Sequence, residues 1–293
     1  YEAGFRGFSL YDKLEADGYE CIVTPPHTVT EEKCRKQKND RIDSRRLAKN
    51  LENDDCGRCH VPDKALREDR QISRLYGQLQ RDITRESNRI RRFLEYHDLD
   101  QYAKSGSWSR SYYITLKKEL ESLPLSDALR FSLSMMYNEL EFLWARQKET
   151  LRFLHKLAKS ERYKERVDLL KSAPGIGILT AIRLVLEWGD LSRFTRKEKF
   201  ASFLGLIPCE HSSGETEHKG HITKQGNRAV QSWLIEASWV AIRKDPVLLD
   251  KYNRVFRNSG SKKKAIVAVA HKLALRLRTV LLIHQPYIIG LAA

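Results

Sequence analysis

Two long segments with apolar residues at helical spacing constrain the fold of this chain more than any other feature. In residues 65–99 the apolar positions are Leu66, Ile72, Leu75, Leu79, Ile83, Ile90 and Leu94. In residues 126–171 they are Leu129, Leu133, Met136, Leu140, Leu143, Leu151, Leu154 and Leu157. Intervals of three, four and their multiples predict amphipathic helices. Two such helices joined by a helical spacer predict an antiparallel coiled-coil arm, with a plain helical bundle as the alternative.

The segments on either side of these helices have different patterns. Residues 1–64 predict alternating helix and strand: a helix within Gly7–Asp17, a strand over Tyr19–Thr24, a helix from about Asp40 to Asn50, and an extended segment or strand near Val61. Residues 166–293 predict short helices broken by Gly and Pro: Leu179–Trp188, Phe200–Leu204, Arg228–Lys244 and Lys263–His284. We therefore expect an α/β domain at 1–64, a helical region at 65–165 and an all-α domain at 166–293.

The charge balance limits the partners of the chain. It has 53 Lys and Arg against 38 Asp and Glu, a formal net charge of +15 and a pI near 9.6. This excess favours a polyanionic partner, with nucleic acid as the first candidate. No apolar run approaches the roughly 18 residues of a membrane-spanning helix. Five cysteines and no secretory leader favour a reducing cytoplasm, and the start at Tyr1 leads us to expect that the natural protein begins upstream.

Two aspartates form the first candidate site. Asp40 and Asp43 stand three positions apart in KNDRIDSRRLA, so a helix places both carboxylates on one face. Paired carboxylates bind Mg²⁺, which can steady charge on a phosphate. The surrounding cations, among them Lys38 and Arg41, suit a site approached by phosphates, and Glu2 lies at the end of what would be a strand. The alternative is that both aspartates only offset the helix dipole.

A glycine turn, PGIG at residues 174–177, precedes an apolar helix and forms the second candidate site. Backbone N–H groups at such a turn can hold DNA phosphates without reading bases, as in helix-hairpin-helix elements. Gly175 and Gly177 would then approach the nucleic acid. The alternative is a tight turn that only packs.

The third candidate is the loop HSSGETEHKGHITKQGNR at residues 211–228. Ser213 stands beside Gly214, where its hydroxyl would be accessible, and three cations could neutralise a pentavalent phosphate: Lys219, Lys224 and Arg228. Taken alone, such a loop is more often a flexible connection. The CGRCH sequence at 56–60 matches the pattern for haem attachment and half of a zinc site. Haem attachment occurs outside the cytoplasm and no second CxxC completes a zinc site, so we interpret it as a chance pair in a loop.

The C-terminal tail is strongly basic. From Lys251 to Ala293 there are nine Lys or Arg and no Asp or Glu. Three adjacent lysines, Lys262, Lys263 and Lys264, precede a helix whose apolar residues Ile266, Val269, Leu273 and Leu277 are predicted to pack inward. This charge favours a phosphate-binding face, with a merely solvated basic helix as the alternative.

Taken in order, these segments resemble the DEDD transposases of the insertion-sequence 110 family, relatives of the pilin-gene invertase. The resemblance rests on YEAG, KNDRIDSRRLAK, APGIGILTAIRLVLEWGDLSRF, FASFLGLIPCEHSSGETEHKGHITKQGN and KKKAIVAVAHKLA, and it covers nearly the whole chain. It implies a truncated RuvC-like (RNase H fold) N-terminal domain, a coiled-coil region, and a helical C-terminal transposase domain with a helix-hairpin-helix-like element.

The resemblance also implies site residues and partners. Glu2, Asp40 and Asp43 match the second, third and fourth metal-binding acids, while the first acid has no counterpart, so we expect an incomplete metal site in this chain alone. Ser213, rather than Ser212, matches the nucleophile, and Gln231 departs from the arginine common in relatives. The implied reaction is strand exchange through a phosphoserine link to DNA, with Mg²⁺, a structured noncoding guide RNA, and dimers that pair into tetramers.

The same residues are also compatible with two other functions. One is a RuvC-like structure-specific nuclease, in which the acids direct water attack and Ser213 is structural. The other is a non-catalytic remnant that holds DNA or RNA through its basic face.

Overall fold

A computed structural model describes residues 1–4, 7–26, 40–99, 102, 109–121, 125–210, 219–222 and 226–291. These residues are mostly helical, and their strands amount to one antiparallel pair and one isolated bridge. The chain divides into two compact units, Tyr1–Arg67 and Glu68–Ala293. Within the described residues, none of the helices combines the length and the apolar composition that crossing a lipid bilayer would require.

The first unit contains helices α1 (Ser9–Ala16) and α2 (Asp40–Glu52), both near their predicted positions. A parallel bridge joins Glu2 to Thr24: the amide of Ala3 donates to the carbonyl of Thr24 at 2.8 Å, and that of Thr24 to Tyr1 at 2.9 Å. The predicted strand over Tyr19–Thr24 is therefore reduced to its last residue. A strand needs a hydrogen-bonded neighbour along its length, and among the described residues that neighbour spans only Tyr1–Ala3.

The second unit begins within α3 (Lys64–Tyr96), which is followed by α4 (Arg110–Glu121) and α5 (Asp127–Ala158). We call these three helices the arm. Their buried side chains form one cluster, made by Ile90 and Leu94 from α3, Tyr113 and Leu116 from α4, and Leu133, Tyr137, Leu140 and Trp144 from α5. The early part of α3 instead borders the late part of α5, around Leu75 and Phe153. The two long helices therefore lie antiparallel, and α4 packs with them in the same cluster.

The apolar pattern over residues 126–171 does not form a single helix. The helix α5 ends at Ala158, and α6 (Lys164–Lys171) follows after a turn. The turn buries Tyr163, whose hydroxyl donates to Asp69 at 2.6 Å. Periodicity alone does not reveal the break, because both helices have apolar positions at helical spacing and both pack against α7.

The remaining helices form a bundle made of α7 (Ile178–Trp188), α8 (Lys197–Leu204), α9 (Arg228–Ala241), α10 (Pro246–Ser259) and α11 (Lys262–Ile283). Between α8 and α9 lie strands β1 (Pro208–Glu210) and β2 (Lys219–Ile222). The predicted apolar face of α11 is confirmed, since Ile266, Val269, Leu273 and Leu277 are all buried. The sequence reading missed α10, although Asp245 followed by Pro246 is a typical helix start: the Asp245 carboxylate accepts the amide of Val247 at 3.0 Å.

Candidate functional site

The acidic pair lies in the first turn of α2. Asp40 is exposed and Asp43 is half-buried, with its Oδ1 3.6 Å from the guanidinium of Arg46 one turn later. Arg41, another predicted contact to nucleic acid, is exposed beside them. The pair therefore offers two carboxylates on an accessible helix end, and Arg46 restrains one of them.

Glu2, the third predicted metal ligand, is exposed on the parallel bridge. Within the described residues, no three His, Cys, Asp or Glu side chains gather into a group that could hold a metal ion, so these three acids do not converge. The donor chemistry of the aspartate pair nonetheless fits Mg²⁺. This ion usually keeps several waters and takes one or two carboxylates together with substrate phosphates.

The two glycines of PGIG have different environments. Gly175 has φ +86°, and a Cβ built on it would lie 2.3 Å from the carbonyl oxygen of Ala237 on α9. Gly177 is exposed, begins α7, and would meet nothing within 4 Å. The turn thus packs through its first glycine, while its second glycine leaves the start of α7 open.

Strands β1 and β2 form an antiparallel hairpin in which Pro208 pairs with Ile222 and Glu210 with Lys219. The predicted nucleophile Ser213 lies in the connection 211–218, outside the described residues, as do Lys224 and Lys38. For Lys219 only the backbone is described. The hairpin is therefore known from its strands and from the residues at its base.

At that base, the ends of the hairpin segment meet through two glycines. Gly205 ends α8 with φ +65°, and a Cβ on it would lie 2.7 Å from the amide nitrogen of Gly226. A Cβ on Gly226 would lie 2.2 Å from the carbonyl oxygen of Leu204. Only glycines permit this approach, so Gly205 and Gly226, which stand before and after the two strands in the chain, lie side by side.

Gln231 on α9 closes the same point. Its side-chain amide donates to the carbonyl of Leu204 at 2.8 Å and to that of Gly205 at 3.2 Å. These carbonyls end α8 and have no partner within the helix itself. Sequence reasoning considered Gln231 only as a departure from an arginine. The contact joins residues 27 positions apart, and we find no local sequence signal for it.

The remaining predicted cations occupy helix starts. Arg228 is exposed at the first position of α9, where the preceding Asn227 caps the helix by accepting the amide of Ala229 at 3.0 Å. Lys262, Lys263 and Lys264 are exposed in the first turn of α11. Positive charge at a helix start opposes the helix dipole, so these lysines do not stabilise α11 through it.

Two of the nine tail cations make contacts inside the fold. Arg276 is buried, with a nitrogen 2.7 Å from the carboxylate of Asp245. Arg278 donates to the carbonyl of Phe194. Charge counting overlooked these roles because an arginine on a helix can face inward when the fold supplies an acceptor.

Sequence reasoning also missed a buried polar cluster between α3, α7 and α9. Arg183 on α7 lies 3.9 Å from the ring centre of Trp233 and 5.3 Å from that of Tyr76, and burial lowers its pKa to about 10. One turn later the buried Glu187 lies 3.3 Å from Arg74 on α3. The cluster anchors the start of the arm to the bundle within the second unit.

The cysteines of CGRCH form no metal site with other described residues. Cys56 and Cys59 are free thiols, as is Cys21, and burial raises the pKa of Cys59. A raised pKa reduces the thiolate fraction that either metal binding or nucleophilic attack requires.

Two family models match the chain. One is the transposase model of the IS116/IS110/IS902 family, which covers residues 167–253, and the other is the DEDD transposase model of IS110 elements, which covers residues 2–97. Glu2, Asp40 and Asp43 fall within the second region, and Ser213 falls within the first.

Several curated proteins are similar to the chain. The candidate transposase y4qE of Sinorhizobium fredii is 27% identical over 82% of this chain and 57% of its own length. The candidate transposase y4rJ of the same organism is 29% identical over 94% of this chain and 74% of its own length. The pilin gene-inverting protein of Moraxella bovis is 34% identical over 37% of this chain and 34% of its own length. The chain thus spans little more than half of the first of these relatives, and it belongs to the IS110 family of transposases.

Proposed function

We propose that this protein recombines DNA through a covalent link between Ser213 and a DNA phosphate. In this proposal, Glu2, Asp40 and Asp43 bind Mg²⁺. The main support is the distribution of these residues: the acids lie in the region that matches the DEDD transposase model, and the serine lies in the region that matches the second transposase model. The proposal therefore assigns one chemical group to each matched region.

On the acidic side, the exposed first turn of α2 presents Asp40 and Asp43 together. When bound there, Mg²⁺ would neutralise charge on the scissile phosphate and on the departing oxygen. Arg46 holds the Asp43 carboxylate, and Arg41 and Lys38 attract the DNA backbone. Glu2 would have to move toward the pair to complete a set of three acids.

On the serine side, the Ser213 hydroxyl attacks phosphorus. A bond forms between its Oγ and the phosphorus, and the hydroxyl gives up its proton to water. One phosphorus–oxygen bond of the DNA chain breaks, and the freed sugar oxygen takes up a proton from water. Attack by that oxygen, or by the equivalent oxygen of a second strand, reverses the step and rejoins the DNA. Lys219, Lys224 and Arg228 would offset the charge of the pentavalent phosphate.

The basic composition supports the nucleic-acid partners of the proposal. A net charge of +15 suits donor and target DNA together with a structured noncoding guide RNA. Gly177 and the lysines at 262–264 would contact phosphates. We further propose the domains 1–64, 65–165 and 166–293 and assembly as a dimer or tetramer.

The test is a recombination assay with the intact transposase of the element, paired donor and target DNA, Mg²⁺, and the noncoding transcript present or omitted. Denaturing gels should show a protein–DNA adduct that is lost in Ser213→Ala and retained in Ser212→Ala. Cleavage that survives Ser213→Ala without any adduct would instead indicate a water-directed nuclease. DNA binding without cleavage under every condition would indicate a non-catalytic remnant.

A further inference from the structure

Four large apolar side chains on α5 are exposed. Phe131, Met135, Phe142 and Phe153 expose 68%, 52%, 54% and 50% of their surface, respectively. Such residues are usually buried, and several in a row on one element indicate an interaction surface. None of the four belongs to the buried cluster of the arm, which α5 forms with its other face.

The four residues form one stripe. At about 100° per residue, they fall within about 40° of arc around the helix axis. The buried residues of α5, among them Leu133, Tyr137 and Leu140, lie on the opposite side and pack against α3 and α4. The helix therefore has two apolar faces, and the residues of the chain that the structure describes cover only one of them.

The three phenylalanines of the stripe are evenly spaced along α5. Phe131 and Phe153 each stand eleven positions from Phe142, which is about 16 Å along the helix on either side. We propose that two copies of this chain pair through α5, antiparallel, with Phe142 on the two-fold axis. Phe131 of one copy then faces the partner's Phe153, and both Phe142 rings meet at the centre.

A groove beside Phe153 could receive the partner's Phe131. Next to Phe153, a cavity of about 230 Å³ is lined by Ile72 and Leu75 of α3 and by Arg146, Glu149 and Thr150 of α5. In the antiparallel pair the partner's Phe131 arrives at this level of the helix. An aromatic ring that enters an apolar groove is the usual anchor of a tight interface.

The charges beside the stripe are complementary in the same register. Glu139 and Arg146 lie on the same flank of the stripe, and the Arg146 guanidinium lies 5.4 Å from the Phe142 ring centre. Glu139 stands three positions before Phe142 and Arg146 four positions after it. The two-fold axis therefore brings Glu139 beside the partner's Arg146, twice per dimer. In a parallel pair, equivalent flanks would lie on opposite sides of the interface, so Glu139 would not meet the partner's Arg146.

The first experiment measures self-association of the full chain by analytical ultracentrifugation. Phe142→Glu should weaken it by about thirtyfold or more, as loss of a central aromatic anchor does. Lys148→Glu, a charge change on an exposed face of α5 away from the stripe, is the matched control and should leave it unchanged. Circular dichroism checks that both variants keep their helices.

A charge exchange tests the register. Glu139→Arg and Arg146→Glu should each weaken self-association, and the double variant should restore it, because the pairs then form with reversed sign. Equal weakening in all three variants would overturn the antiparallel register.

Cysteine crosslinking tests the two-fold axis. Oxidised Phe142→Cys should give a disulfide between equivalent residues, mapped by mass spectrometry against the native cysteines, whereas Phe131→Cys alone should not. A crosslink at both positions would indicate a parallel pair, and a monomeric wild-type chain would overturn the proposal. Because the adduct assay reports on Ser213 and these experiments report on pairing, failure of one proposal is distinguishable from failure of the other.

Discussion

The side-chain amide of Gln231 lies 2.8 Å from the carbonyl oxygen of Leu204 and closes the base of the hairpin that connects α8 to α9. A second bond to Gly205 makes this amide the cap of α8. The residue therefore joins two helices at the point where the serine-bearing segment leaves the bundle.

Removal of this cap should destabilise the fold. Gln231→Ala leaves two helix-end carbonyls without their donor, and we expect a loss of about 1 kcal/mol of unfolding free energy. Gln231→Glu should lose more, because a carboxylate would face carbonyl oxygens. Urea denaturation measures both, with the exposed neighbour Ser232→Ala as the control. Equal stability of all three variants would contradict a capping role.

The two glycines of PGIG should respond differently to alanine. Gly175→Ala forces a Cβ against the carbonyl of Ala237 at a positive φ, so we expect a loss of about 2–4 kcal/mol. Gly177→Ala meets open space and should lose about 1 kcal/mol or less. Thermal unfolding of the two variants measures both losses and shows whether only the first glycine is needed for packing. If Gly177→Ala keeps its stability but binds DNA more weakly, the open start of α7 is a nucleic-acid contact.

The buried pair of Arg276 and Asp245 predicts strong coupling. Arg276→Met leaves the Asp245 carboxylate buried without its cation, which should reduce stability by about 3–5 kcal/mol. Adding Asp245→Asn should recover part of the loss, because the amide keeps the cap of α10 without a charge. A double-mutant cycle in urea measures the coupling. Strictly additive losses would show that the two side chains act independently.

Asp245 should also make stability depend on pH. Burial by itself would raise its pKa, but the hydrogen bond from Tyr287 and the charge of Arg276 lower the pKa below the ordinary value of 3.8. Because the folded pKa lies below the unfolded one, this stabilisation is present above pH 3.8 and is lost as the pH falls further through the folded pKa. Melting temperatures should fall below this pH. The fall should be smaller in Asp245→Asn than in wild type.

The lysines at the start of α11 should contribute to nucleic-acid affinity through phosphates. Replacing Lys262, Lys263 and Lys264 with alanine should reduce the slope of log affinity against log salt by up to about 2.7, if each contacts one phosphate. Fluorescence anisotropy across a salt series measures the slope. Alanine at the exposed Lys148 and Lys156 of α5 and at Lys159, which directly follows α5, is the matched control. A slope that changes equally in both triple variants would assign no special role to α11.

Helix positions could be predicted where the signal is local. The spacing of Leu75, Leu79 and Ile90 in α3 and of Val269, Leu273 and Leu277 in α11 is visible in the sequence and repeats with the helix turn. The break at Tyr163 was not predicted, and the strand over Tyr19–Thr24 was predicted too long. Both depend on partners distant in the chain, Asp69 for the first and residues 1–3 for the second.

The sequence by itself determined which residues could do chemistry: an acidic pair one helical turn apart, a serine beside a glycine, and an excess of positive charge. These are properties of residue type and spacing, and they do not require a fold. Only the tertiary structure decided that Gly175 packs while Gly177 stays open, that Arg276 faces inward, and that α5 leaves one apolar face uncovered. Each of these depends on which atoms of distant segments meet, and that is set by packing between helices rather than by their order in the chain.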